Sequence, residues 1–220
     1  MEINMAVPPK LVCFDWDGTL IDSFDKIARC IFDTAKLMGL KTVSKNQIKA
    51  QIGQPFEQLL TDLYGDVSYS AFQAKYEEIY TEMAPPLLFP NCVKMLQVLK
   101  QSDIMVAIVT NKSRVAVERE LSLTNVNSYI DSIWVAEEFA AKPSPVMLHH
   151  AMTSHQLSSS EVWMVGDSLP DLYSGYAANV GKIVLVEDLP IPKMISQAVI
   201  IKDLGEIVQM VRVEQKQNAE

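Results

Sequence analysis

A short apolar segment that runs directly into two carboxylates constrains the fold of this chain more than any other feature. Residues 11–14 read LVCF, which is typical of a buried strand, and Asp15 and Asp17 follow at once. Charged groups at the end of an apolar strand are costly unless something binds them. Side chains two positions apart in an extended segment point the same way, so both carboxylates can face one pocket. The segment therefore predicts a buried strand that ends at a cation site.

Beyond residue 86 the sequence alternates between short apolar runs and helical patterns. The apolar runs, which we interpret as strands, cover residues 104–109, 132–136, 162–165, 183–186 and 198–201. The helical patterns cover residues 91–101, 112–123, 144–155, 168–178 and 204–213. Strands that alternate with helices are joined by right-handed crossovers into a parallel sheet that is covered on both faces. The sequence therefore predicts an α/β fold with a doubly wound, Rossmann-like parallel sheet.

An all-helical pattern separates the first strand from this alternating region. Helical patterns cover residues 24–38, 44–52, 55–64 and 69–83. No strand is predicted between residues 21 and 86. The run APPLLFP at residues 84–90 is interpreted as a stiff linker. We therefore predict a core made of residues 1–20 and 87–220, with a helical cap inserted at residues 21–86.

Composition excludes several classes of partner. The net charge is −8 and no basic run is present, so a nucleic-acid partner, which needs a basic face, is not expected. The three cysteines are odd in number and form no C-x-x-C pair, which argues against a disulfide framework. No apolar run reaches the roughly 20 residues of a membrane helix, and the first ten residues lack a signal-peptide pattern. We expect a cytoplasmic protein that has no membrane partner, and its oligomeric state is left open.

Further polar clusters follow the predicted strands. Thr110 and Asn111 end one strand, Asp167 ends another with Asp171 close behind, and Lys142 precedes a helix. In open α/β sheets, ligands bind beyond the carboxyl ends of the strands. Carboxylates suit Mg²⁺, and a carboxylate can attack phosphorus, while hydroxyl, amide and ammonium groups stabilise the phosphoryl oxygens. This set of residue types favours metal-assisted phosphoryl transfer.

The run DWDGTL, from Asp15 to Leu20, resembles the first motif of the haloacid dehalogenase-like hydrolases, most of which are phosphatases. By this resemblance Asp15 is the nucleophile and a metal ligand. Asp17 would be the general acid that protonates the leaving oxygen, then the base that activates water. Its backbone carbonyl would also ligate Mg²⁺.

The other clusters resemble the remaining three motifs of the same family, in the family's order. Thr110 and the Asn111 amide would bind the transferring phosphoryl group, and Lys142, in the run AKPSP, would neutralise the same oxygens. The run GDSLPD resembles the fourth motif, in which Asp167 holds the metal and Asp171 supports it, directly or through water. The resemblance implies Mg²⁺ as cofactor and a small phosphorylated metabolite as substrate.

A helical cap placed directly after the first motif resembles that of phosphoglycolate phosphatases and β-phosphoglucomutases. In such caps a loop between helices faces the active site, and residues 52–55 are the candidate here, with Gly53 and Gln54 as substrate-binding residues. Lys49 stands one turn earlier and is interpreted as a solvated lysine. Because this loop has no arginine, phosphoglycolate is one candidate substrate among several.

Alternatives to a phosphatase remain at this point. A phosphomutase of the β-phosphoglucomutase type would use the same nucleophile, but needs a cap that binds a second phosphate. A dehalogenase is disfavoured because that branch of the family lacks the second aspartate, here Asp17. A non-catalytic, phosphate-sensing module that binds a partner protein is disfavoured because the set of catalytic residue types is intact.

Overall fold

The computed structural model describes residues 7–187 and 189–217. The strands are β1 (Leu11–Phe14), β2 (Ile21–Asp22), β3 (Leu87–Leu88), β4 (Met105–Thr110), β5 (Ser132–Val135), β6 (Val162–Gly166), β7 (Lys182–Leu185) and β8 (Ala198–Ile200). The α-helices are α1 (Phe24–Leu37), α2 (Lys45–Lys49), α3 (Phe56–Tyr64), α4 (Tyr69–Glu82), α5 (Cys92–Gln101), α6 (Arg114–Thr124), α7 (Val146–Ser154), α8 (Leu169–Ala177) and α9 (Gly205–Gln217).

The central sheet has six parallel strands in the order β5-β4-β1-β6-β7-β8. The chain starts in the middle of the sheet, builds one side with β4 and β5, and then crosses β1 to build the other side. This reversal places the topological switch point at β1, where doubly wound sheets bind ligands. The predicted α/β fold with a parallel sheet is confirmed.

Side chains of β1 alternate between two apolar layers. Val12 and Phe14 pack in the layer with α5 and α9, whereas Leu11 and Cys13 pack in the layer with α7 and α8. All four residues of β1 are fully buried. Strands covered on both faces need a continuous apolar run rather than an alternating one. This is why the run LVCF predicts a buried strand.

Helices α1 to α4 form a third apolar cluster of their own, separate from the two layers of the sheet. The prediction that no strand lies between residues 21 and 86 is wrong in one detail. β2 pairs antiparallel with β3, which lies inside the predicted linker. Strands of two residues are too short to show a period-two pattern, so the sequence did not reveal them. The division of the chain into domains at residues 20 and 86 stays a prediction.

The helices whose ends differ most from the predicted ones are α2 and α9. α2 covers five residues, fewer than the predicted helix, and ends at Lys49. α9 continues to Gln217 although its last residues are polar. Residues 1–6, on which the expectation of no signal peptide partly rests, lie outside the described residues. In the part of the chain described here, no helix combines the length and the apolar character needed to cross a membrane.

Candidate active site

Three neighbouring strands end in polar side chains at the same edge of the sheet. Asp15 directly follows β1, Thr110 is the last residue of β4, and Asp167 directly follows β6. β4 and β6 flank β1 on its two sides, and all three strands run parallel. The structure therefore brings the polar ends of these strands together at the switch point of the sheet.

Lys142 lies between two of the carboxylates of this edge. Its Nζ is 2.8 Å from Oδ1 of Asp15 and 2.5 Å from Oδ1 of Asp171. Burial would lower the pKa of Lys142, but the carboxylates of Asp15 and Asp171 outweigh that effect and raise the pKa above its ordinary value. Lys142 therefore contributes a permanent positive charge inside the site.

Asp171 is fully buried in the first turn of α8. Its Oδ2 accepts hydrogen bonds from the backbone N–H groups of Asp167 at 3.2 Å and Ser168 at 3.0 Å, and also from the Ser168 hydroxyl. Its Oδ1 accepts from Lys142. Because both oxygens are engaged, Asp171 orients the loop after β6 and the Lys142 ammonium.

Asp167 approaches the loop after β1 very closely. Thr19 donates its hydroxyl to Oδ1 of Asp167 at 3.1 Å. Gly18 adopts a φ of +79°, and a Cβ at this position would lie only 2.2 Å from Oδ2 of Asp167. Burial, followed by the charges of Asp171 and Asp15, raises the pKa of Asp167 well above its ordinary value. Gly18 therefore leaves the space that the Asp167 carboxylate occupies.

Asp15, Asp167 and Asp171 form a compact acidic cluster, in which one carboxylate oxygen from each residue lies within 4.8 Å of the others. Burial raises the pKa of Asp15 to about 6, against the opposing effect of Lys142. Although Lys142 lies near Oδ1 of Asp15, no donor among the described residues is aligned to hydrogen-bond with that oxygen. Three carboxylates thus share one ammonium, which leaves a net negative charge that suits a hard cation.

The carboxylate of Asp17 is not a member of this cluster and contacts Lys112 instead. Its Oδ1 accepts a hydrogen bond from Nζ of Lys112 at 2.8 Å. Its backbone carbonyl receives no hydrogen bond from any residue that the structure describes. Asp17 therefore offers two separate polar groups, a backbone carbonyl oxygen and a partly exposed carboxylate.

Thr110 and Asn111, the two residues at the end of β4, differ in what their side chains contact. The Thr110 hydroxyl accepts a hydrogen bond from the backbone N–H of Lys112 at 3.2 Å. The Asn111 side chain donates to the carbonyl oxygens of Gly53 at 2.9 Å and Lys142 at 3.1 Å, and accepts from the Lys142 N–H at 2.8 Å. The side-chain amide of Asn111 thus joins the cap loop to the strand ends.

The loop between α2 and α3 lies against the site, but only one of its two predicted binding residues, Gly53, has a recorded contact there. Gly53, with a φ of +94°, packs so closely on Ser168 that a Cβ would lie 2.7 Å from that residue. Gln54 donates instead to Gln51 within the same loop. Lys49, interpreted as solvated, forms an exposed ion pair with Glu187 at 3.3 Å. The structure brings Gly53 to the site, whereas the contact recorded for Gln54 lies within its own loop.

Sequence reasoning missed a buried polar group next to Asp17. Lys112 contacts Asp17, Glu120 and the hydroxyl of Tyr80. Lys112 could have been found from its place one residue after Thr110-Asn111, at a strand end. Glu120 and Tyr80 sit in the middle and near the end of polar helices, and no pattern in the sequence distinguishes them from solvent-facing residues.

Comparisons with known proteins agree with this geometry. The sequence model of the family described as haloacid dehalogenase-like hydrolase matches residues 12–185. A phosphoglycolate phosphatase of Vibrio parahaemolyticus is 30% identical in an alignment 186 residues long, which covers 78% of this chain and 80% of that protein.

Solved structures share the fold. A predicted phosphoglycolate phosphatase from Haemophilus somnus superposes with a TM-score of 0.82 at 23% identity, over 93% of this chain and 98% of that one. A putative β-phosphoglucomutase from Bacteroides vulgatus gives a TM-score of 0.76 at 17% identity, over 96% of this chain and 91% of that one. The family match and the phosphatase relatives confirm the expectation of a phosphatase. The chain belongs to the haloacid dehalogenase-like hydrolases.

Proposed function

We propose that this enzyme is a Mg²⁺-dependent phosphatase that hydrolyses a small phosphorylated metabolite through an aspartyl-phosphate on Asp15. The observation that carries the proposal is the assembly of Asp15, Lys142 and Asp167 at the switch point of the sheet. Membership of the hydrolase family and the phosphoglycolate phosphatase relatives support it. The protein resembles those relatives across most of its length, so a substrate of comparable size is expected.

Asp15 is suited to act as the nucleophile. It ends a fully buried strand, and its backbone N–H donates to the carbonyl of Val165 at 2.9 Å, which fixes the backbone at this point. The carboxylate attacks phosphorus as the bond between phosphorus and the leaving oxygen breaks. The acyl phosphate is then hydrolysed by water, which restores the carboxylate.

The acidic cluster fits a magnesium ion by its donor chemistry and its charge. Asp15 and Asp167 would hold the ion through carboxylate oxygens, and Asp17 would do so through its backbone carbonyl. Asp171 would support the site indirectly, because its oxygens already accept hydrogen bonds from the protein. A bound divalent cation would supply positive charge to the phosphate oxygens.

Positive charge and hydrogen-bond donors around Asp15 would bind the phosphoryl group. Lys142 would neutralise the phosphoryl oxygens from its position beside Asp15. The Thr110 hydroxyl would donate to the same group. Since the side chain of Asn111 is engaged with Gly53 and Lys142, its backbone N–H is the donor that we assign to the phosphoryl group.

Asp17 is assigned the proton transfers. Its carboxylate lies two residues beyond the nucleophile, outside the acidic cluster, and is held by Lys112. It would give a proton to the leaving alkoxide and later take one from the attacking water. General acid–base catalysis of this kind contributes about 10²–10⁴-fold to the rate.

A substrate panel tests the proposal and separates it from its alternative. The enzyme is assayed with Mg²⁺ on phosphoglycolate, sugar phosphates and other small phosphate esters, and both free phosphate and isomerised product are measured. We expect free phosphate from at least one ester, its loss on chelation, and no turnover by the Asp15→Asn variant. Isomerised product without phosphate release would identify a mutase, and no turnover of any ester would favour a phosphate-sensing module.

A further inference from the structure

Glu120 is a buried carboxylate that the proposed chemistry does not use. It lies in the middle of α6, and only 3% of it is exposed. A charged group in this position is stable only if it is paired and hydrogen-bonded. Glu120 meets this requirement with three partners, two of which, Trp16 and Lys112, lie in the segments that follow β1 and β4.

The first partner of Glu120 is Trp16, the residue between the two catalytic aspartates. The indole Nε1 donates to Oε2 of Glu120 at 2.6 Å, and the Trp16 side chain is fully buried. This hydrogen bond ties the loop after β1 to the middle of α6.

The second partner of Glu120 is Lys112, whose Nζ lies 2.9 Å from Oε2. The same ammonium donates to Oδ1 of Asp17 at 2.8 Å. Burial would lower the pKa of Lys112, but the carboxylates of Asp17 and Glu120 outweigh that effect and raise the pKa above its ordinary value. Lys112 is thus a fixed cation between two carboxylates, one catalytic and one not.

The third partner of Glu120 is Tyr80 near the end of α4. Its hydroxyl donates to Oε1 of Glu120 at 2.5 Å and lies 3.1 Å from Nζ of Lys112. The ammonium of Lys26 lies 3.8 Å from the centre of the Tyr80 ring. Both carboxylate oxygens of Glu120 therefore have polar partners, and these contacts fix the orientation of the carboxylate.

We propose that Glu120 is a positioning residue, which holds the Lys112 ammonium and through it the carboxylate of Asp17 in the orientation needed for proton transfer. The inference rests on the proposed role of Asp17. Without Glu120, Asp17 is the one charged partner that Lys112 keeps among the described residues, and the Asp17 carboxylate follows the ammonium out of line with the leaving oxygen. Misplacement by about 1 Å can cost about 10²-fold in rate.

The test compares two leaving groups in single turnover. An alkyl phosphate leaves as a basic alkoxide and needs a proton, whereas p-nitrophenyl phosphate leaves as a stable phenolate. Glu120→Gln keeps the shape but removes the charge, and it replaces one of the two acceptor oxygens by an NH2 donor. We expect it to lower release of the alkyl group by about 10- to 100-fold and that of nitrophenolate by about threefold or less, with little change in KM. Glu118→Gln, an exposed position on the same helix, should change neither rate.

The ratio of the two rates does not depend on the folded fraction, because the same folded molecules hydrolyse both esters. If Glu120→Gln does not fold, Tyr80→Phe replaces it. We expect this variant also to lose more rate on the alkyl ester than on the nitrophenyl ester, by a smaller factor than Glu120→Gln. Equal rate losses of Glu120→Gln on both esters would overturn the positioning role, provided that Asp17→Asn loses more rate on the alkyl ester than on the nitrophenyl ester. If Asp17→Asn also loses both equally, then the proposed function of Asp17 itself fails, and the inference fails with it.

A double-mutant cycle tests the route through Lys112. If Glu120 acts through this residue, adding Glu120→Gln to Lys112→Met should leave the alkyl-to-nitrophenyl rate ratio of Lys112→Met unchanged. If the double variant has a lower alkyl-to-nitrophenyl rate ratio than Lys112→Met, by the factor that Glu120→Gln causes alone, the proposal is contradicted.

Discussion

The Lys142 ammonium lies 2.8 Å from Oδ1 of Asp15. Both side chains are almost wholly buried, and the same ammonium also serves Asp171. Asp167 completes a cluster of three carboxylates around this single lysine. The electrostatics of the site therefore depend on Lys142 when no cation is bound.

Lys142→Met should destabilise the metal-free enzyme by about 3–5 kcal/mol, because removal of one partner leaves buried carboxylates without a counter-charge. Mg²⁺ should recover part of this loss, since it adds positive charge to the same cluster. Activity at saturating Mg²⁺ should remain at least about 10²-fold below wild type, because Lys142 also neutralises the phosphoryl oxygens. Denaturant unfolding with and without Mg²⁺ measures the first two effects. Equal unfolding free energies for variant and wild type would show that Lys142 carries no structural role.

Asp167→Asn should raise the Mg²⁺ concentration needed for half-maximal activity, because the amide replaces an anionic ligand by a neutral one. The metal-free variant should at the same time unfold at a higher temperature than wild type at neutral pH, since burial and the neighbouring carboxylates disfavour the ionised form of Asp167 and an amide carries no charge. In wild type, Mg²⁺ at about 100 times its dissociation constant should add about 2.7 kcal/mol of stability. An unchanged Mg²⁺ requirement would place the metal elsewhere. Ca²⁺ should inhibit, because its larger and looser coordination disturbs the geometry of attack.

The raised pKa of Asp15 predicts how stability depends on pH in the metal-free protein. The folded state holds the Asp15 proton up to a pKa of about 6, above the ordinary value of 3.8. This contribution to stability is full below about pH 4 and is lost as the pH rises through 6. A tenfold change in acidity corresponds to about 1.4 kcal/mol, so Asp15→Asn should gain roughly 2 kcal/mol of stability relative to wild type as the pH rises from 4 to 7.

Unfolding of both proteins is measured in chelator across this pH range. Asp66→Asn, at an exposed position, is the control and should follow wild type at every pH. A difference between Asp15→Asn and wild type that does not change with pH would contradict the assignment of the raised pKa to Asp15. Saturating Mg²⁺ should flatten the wild-type dependence, because the cation binds the ionised carboxylate.

Gly18→Ala should abolish activity, because the added Cβ would lie 2.2 Å from Oδ2 of Asp167 and would displace that carboxylate. Gly39 provides a matched control, since its φ of +67° is also left-handed but a Cβ there would meet nothing within 4 Å. Each variant pays about 1–2 kcal/mol for an L-residue in this conformation. Gly39→Ala should keep wild-type kcat. If Gly18→Ala is equally active, Gly18 is needed only for the turn.

The residues that could be predicted from sequence are those that belong to local patterns. The strand before Asp15 and the strand ends at Thr110 and Asp167 follow from apolar runs of four to six residues next to polar ones. The two-residue strands β2 and β3 carry no such pattern. Glu120 could not be predicted for a different reason, because its partner Trp16 is 104 positions away in the sequence. A buried role for a charged helical residue depends on contacts that no local period encodes.

The central claim, that Asp15 carries the phosphoryl group, is tested most directly by trapping the covalent intermediate. The Asp17→Asn variant is mixed with p-nitrophenyl phosphate and Mg²⁺, quenched in acid within one turnover, and digested for mass spectrometry. Because Asp17 would also activate the water that hydrolyses the intermediate, we expect the phosphoryl group to accumulate on the peptide that contains residues 11–23, at Asp15. The same variant with Asp15→Asn added should carry none. A phosphorylated peptide from any other part of the chain, or a phosphoryl group that persists without Asp15, would contradict the account.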